Sequence, residues 1–222
     1  MEEKNPVRPG HPGGQQPAET LKDIKQIMER SSRFISLSGL SGIAAGICAL
    51  AGAFIARGML YKQGGRARLT ESVRVEELDL LSLQLIGLAA ATFAIAFISA
   101  FYLTWRKAKK ENLPVWDHTS RRLFWNMMIP MSAGGFFILA MLYHNEWRFV
   151  GPSCLIFYGL ALVNASKYTL SEIRYLGYCE ILLGLVNMML IGYGLYFWAA
   201  GFGLLHIIYG AIMWWKYERK AL

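Results

Sequence analysis

Apolar residues run along this chain in long uncharged blocks separated by short charged stretches. Six blocks stand out, at about residues 34–56, 80–105, 123–143, 149–165, 175–191 and 199–215. A hydrocarbon core of about 30 Å needs roughly 20 apolar residues in a helix rising 1.5 Å per residue. The last two blocks decide the architecture. From Ile181 to Trp215 there is no Lys, Arg, Asp or Glu, and one unbroken helix of that length would measure about 50 Å. It must fold back on itself, and Gly192, Gly194, Gly201 and Gly203 mark where it can, with a turn centred near Leu195. The pattern predicts an all-α polytopic membrane protein with six transmembrane helices arranged as three hairpins.

The flanking segments divide the chain further. Residues 1–18 hold four prolines and three glycines and read as a disordered cytosolic tail. Residues 19–33 read as an amphipathic entry helix, with Leu21, Ile24, Ile27 and Met28 on one side and Lys22, Lys25, Glu29 and Arg30 on the other. The six-helix domain then occupies 34–216, and 217–222 form a C-terminal tail. In the first span Ser38, Gly42 and Gly46, with Gly39 beside them, make a small-residue face that lets another helix approach closely. That face is a candidate contact for a homo-oligomer. The first block is too far from the N-terminus to be a signal peptide, and it reads as a retained span. The loop at 57–79 is mixed in charge and fits either a short interfacial helix or an extended segment. Pro130, with Gly134 and Gly135, predicts a kink in the third span.

Composition agrees with the pattern. Of 222 residues, 55% are hydrophobic and 17% charged, where a soluble domain carries about a quarter charged. The net charge of +8 would raise nucleic acid as a partner in a soluble protein. Here the basic residues sit at block ends, so the lipid bilayer accounts for them and no nucleic acid is expected. With the N-terminus inside, 17 of the 23 Lys and Arg residues fall on the cytosolic side, which places both termini in the cytoplasm. Cys48, Cys154 and Cys179 all lie in apolar blocks and read as free thiols packing as small hydrophobes.

Two stretches, LKDIKQIMERSSRFISLSGLSG entering the first span and GFGLLHIIYGAIMWWKY leaving the last, carry a resemblance. From Leu21 to Glu218 the chain resembles a family of small bacterial six-span integral membrane proteins with no assigned activity. The resemblance implies a bacterial inner membrane, and it transfers no functional residues.

Ionisable groups inside a span cost roughly 2.5–3.5 kcal/mol on insertion scales and are functional candidates for that reason. Glu180 is the clearest. Glu180, Gly184 and Asn187 share one face of the fifth helix, and His206 lies near the middle of the sixth. Counting depth from Leu195 puts Asn187 within hydrogen-bonding reach of His206 and sets Glu180 level with Tyr209 and Gly210. Glu180 then either lines a pocket or pairs with Arg122 or Arg174. Asn126, Asn164, Ser36 and Ser38 fall in the cytosolic halves of their spans and would join Glu180 in a polar pocket, against the plainer reading of polar groups near an interface. His206 has no second His or Cys at i+3 or i+4, so no metal site is expected, and no cofactor motif is present.

Three functional classes follow. The first is a regulatory or scaffolding membrane protein whose entry helix contacts a cytosolic or membrane protein partner. The second is a small transporter or channel subunit with a polar path along Glu180, Asn187 and His206. The third is an intramembrane enzyme, ranked last because no nucleophile accompanies an acid–base group in the sequence. The sequence ranks the first ahead, because one carboxylate and one histidine make a thin pathway.

Overall fold

The computed structural model describes residues 38–62, 80–112 and 116–219, and no strand occurs among them. They form six helices: α1 Gly39–Lys62, α2 Leu80–Lys110, α3 His118–Tyr143, α4 Val150–Ala165, α5 Glu172–Met189 and α6 Gly194–Glu218. Five helical segments are long and apolar enough to cross a bilayer: α1, α2, α3, α4 with its short 3-10 extensions, and α6. The helix α5 falls outside that group, since its 18 residues include Glu172, Arg174 and Glu180. The expected entry helix and most of the 57–79 loop lie outside the described residues.

Local chemistry sets the helix ends. The third helix starts at His118, five residues before the apolar block, because Asp117 and Ser120 cap it reciprocally. The Asp117 carboxylate accepts the Ser120 N–H at 2.7 Å, and Ser120 Oγ accepts the Asp117 N–H at 2.6 Å. Partial burial works against the charge on Asp117, but these bonds outweigh it and hold the carboxyl below its ordinary value. The helix then stays continuous through Pro130. At the far end of α2, Lys107, Lys109 and Lys110 occupy the last turn, where cations meet the negative end of the helix dipole.

Between α5 and α6 the chain turns at Leu190–Tyr193, with Gly192 in the left-handed region at φ 94°. This turn lies several residues before Leu195, so α6 begins earlier than the sequence suggests. The sixth helix is also irregular: α-helical turns alternate with π-helical ones at Ala199–Leu205 and Trp214–Glu218.

Glycine lets two helix pairs close up. On α4 and α5, a Cβ built on Gly159 would lie 2.7 Å from the Gly177 carbonyl oxygen, and one on Gly177 would lie 2.8 Å from that of Gly159. Gly39, Gly42 and Gly46 of α1 face α6 of the same chain, where a Cβ on Gly42 would lie 3.1 Å from Gly210 Cα. A second copy could use this face only by displacing α6. The helix α2 packs on α1, and α3 on α4. Both leave large apolar side chains such as Phe93, Ile98, Ile129 and Phe136 exposed.

The antiparallel order gives the bundle two distinct ends. Ser38 and Arg219 mark a terminal end, where Glu218 of α6 closes the start of α1. Its Oε1 accepts the Gly39 N–H at 2.6 Å, and Lys107 Nζ lies 3.5 Å from the same oxygen. The α3–α4 and α5–α6 connections mark the opposite, turn end.

Candidate functional site

Three helices bring polar side chains together inside the bundle: Tyr158 from α4, Glu180 from α5 and His206 from α6. The helix α5 presents Glu180 on the same stripe as Leu176, Gly177, Gly184 and Asn187, all buried. The first π turn of α6 supplies the other wall. A side chain on Gly201 would collide with Glu180 Oε2 and with Leu155 Cδ2, so the missing side chain makes the space that the carboxyl fills.

His206 is held from both ring nitrogens. Nδ1 lies 3.0 Å from the Gly201 carbonyl oxygen, and Nε2 lies 2.8 Å from Tyr158 Oη. A carbonyl only accepts, so Nδ1 carries the hydrogen of that bond. In the neutral ring Nε2 is then the acceptor, and the Tyr158 hydroxyl donates to it. Phe202 stacks beside this pair, with ring centres 5.1 Å from Tyr158 and 6.0 Å from His206, and Trp198 continues the row 5.2 Å from Phe202.

Glu180 stands differently. It is 0% exposed, and neither carboxyl oxygen has a hydrogen-bond partner among the described residues. Its Oε1 comes within 3.4 Å of His206 Nδ1. That distance suits an ion pair, yet the Nδ1 hydrogen is directed at Gly201, so the carboxyl gains proximity without a bond. Leaving a full charge there unbonded would cost several kcal/mol. The arrangement favours a bound proton or a cation on Glu180, or a positive charge on His206.

The other candidate residues lie elsewhere. Asn187 does not meet His206, because the early α5–α6 turn sets it near the turn end. Its Nδ2 is buried and without a hydrogen-bond partner among the described residues, close to Gly151 and Gly194. The same early turn, with the π segment, sets Glu180 beside Gly201 instead of level with Tyr209 and Gly210. Glu180 pairs with neither Arg122 nor Arg174, and Arg174 Nε instead donates to Ser166 Oγ at 3.4 Å. Asn164 Nδ2 donates to the Asn126 carbonyl at 2.7 Å, linking α4 to α3. Ser38 sits with Glu218, and Ser36 lies outside the described residues. The three cysteines are free thiols.

Sequence reasoning missed Tyr158, Gly201 and Glu218. Tyr158 had one usable signal, a hydroxyl inside an apolar helix that must find a partner. No protein-family model matches the chain, and neither curated proteins nor solved structures yield a match.

Proposed function

We propose that this chain is a small proton-translocating protein of the transporter or channel-subunit type, with Glu180 as the proton-carrying group. We place it in the bacterial inner membrane with both termini cytoplasmic, so the terminal end of the bundle faces the cytosol. The excess of Lys and Arg on that side supports the orientation.

One observation carries the reading: a carboxyl wholly buried between membrane-length helices, without a hydrogen-bond partner among the described residues, and in reach of a histidine. Such a group is stable when protonated or when its neighbour is charged, and it can alternate between the two. With the proton on Glu180, His206 is neutral and accepts from Tyr158. With Glu180 ionised, a proton on Nε2 makes His206 the countercharge, and Tyr158 turns its hydroxyl to accept. A proton reaches Nε2 from the Tyr158 hydroxyl, which takes another from its far side, and the charged ring then releases its Nδ1 hydrogen to the Glu180 carboxylate, 3.4 Å away. Tyr158 is therefore the gate on one side of the pair.

The regulatory reading rests on residues Thr20 to Arg33, outside the described residues, and gains no separate support. The test is proton flux in liposomes loaded with a pH-sensitive dye under an imposed gradient. Wild type should dissipate the gradient, Glu180→Gln should fall to the rate of empty liposomes, and His206→Ala should be slowed. A wild-type rate equal to that of empty liposomes would overturn the reading.

A further inference from the structure

At the turn end a crevice of about 200 Å³ opens between α1, α2 and the two connections of that end. Its walls are apolar: Ala53 and Leu60 from α1, Leu85 and Leu88 from α2, with Trp147 and Trp198 closing it. None of the described functional residues of the proton site lines it. Two observations bear on its occupant.

The first is position. The crevice lies toward the turn end of helices long enough to cross a bilayer. Trp147 and Trp198 line it, and indole rings favour the boundary between acyl chains and headgroups. The second is charge. Arg148 lines the crevice and is steadied by Glu146, with Nε 2.8 Å from one carboxylate oxygen and Nη2 3.3 Å from the other. Arg57, beside the lining residue Ala56, lies over the Tyr196 ring at 5.7 Å. Together Arg57, Arg148 and Glu146 sum to one positive charge beside the crevice among the described residues.

We infer that the crevice binds one acyl chain of an anionic phospholipid, whose phosphate rests on the Arg57 and Arg148 rim. The apolar walls take the chain. Arg57 provides the charge that Glu146 leaves uncompensated, which sets the preference for an anionic over a zwitterionic headgroup.

The test is native mass spectrometry of the full chain released from nanodiscs of equal phosphatidylglycerol and phosphatidylcholine. Wild type should retain one phosphatidylglycerol in preference to phosphatidylcholine. Arg57→Gln with Arg148→Gln should keep a lipid but lose roughly tenfold in that preference. Ala89→Phe, which fills the crevice from α2, should lose the bound lipid of either kind. Equal retention of the two lipids by wild type would overturn the inference, as would an Ala89→Phe variant that folds and keeps its lipid. Because the wild-type comparison needs no variant, a misfolded substitution does not shield the proposal.

Discussion

Gly201 and Glu180 share one small volume: the carboxyl of Glu180 lies where a side chain on Gly201 would stand. The relationship is between a residue on α5 and the π turn of α6, so it fixes both the helix register and the depth of the acid. Gly201→Ala should therefore overpack the site and destabilise the protein by about 1–3 kcal/mol. Gly135→Ala is the matching control, because nothing lies within 4 Å of a Cβ there. Thermal unfolding in one detergent, with the two variants side by side, checks both. Equal stability would mean that the Glu180 carboxyl is not seated against Gly201.

The bond between Tyr158 and His206 should show as a coupling. Tyr158→Phe removes the partner of Nε2 and should cost about 1 kcal/mol, and His206→Ala should cost more, since it also breaks the bond to the Gly201 carbonyl. In a double-mutant cycle with His206→Ala the two costs should not add, since each variant breaks the same contact. Strict additivity would show that the hydroxyl and the ring do not meet.

A third expectation concerns the terminal end. Glu218 of α6 caps α1 from 179 positions away through the Gly39 N–H. Glu218→Ala should cost about 1 kcal/mol, the ordinary effect of losing a helix N-cap. Amide exchange at Gly39 should speed up in that variant, while α3 keeps its protection. Unchanged exchange at Gly39 would rule out the cap.

Acid should loosen α3 at its start. Asp117 has its folded-state carboxyl held below the ordinary value of 3.8, so its contribution is fully present above that pH and is lost as pH falls further, through the folded value. Amide exchange at Ser120 should accelerate over that acid range in wild type. In Asp117→Asn that acid dependence should vanish.

Much of the architecture was legible because helices long and apolar enough to cross a bilayer leave long uncharged blocks in the sequence. Uncharged blocks of the right length gave six helices, and the charge-free run after Glu180 required a turn. The turn itself was placed late, because four glycines compete there and only the left-handed backbone at Gly192 singles one out. That shift of a few residues carried Asn187 away from His206 and moved Glu180 to Gly201. The π turns compounded it, since an irregular helix leaves no periodic trace among Leu, Ala and Gly. Glu180 and His206 were visible as costly residues in costly places, whereas Tyr158 looked like one more aromatic in an apolar helix. The glycines of α1 showed that some helix would come close. Which helix it would be depended on contacts across 160 residues or more, such as Gly42 with Gly210, that no local pattern encodes.

Under the proposed function Glu180 takes up and releases a proton within the folded protein. Infrared difference spectroscopy on the full chain in lipid, stepped between acidic and alkaline buffer, measures this through the carbonyl stretch of a protonated carboxyl. Wild type should show one such band from a buried acid, changing with buffer pH and missing from Glu180→Gln. A band that persists in Glu180→Gln, or no pH-dependent carboxyl band in wild type, would contradict the proposed function.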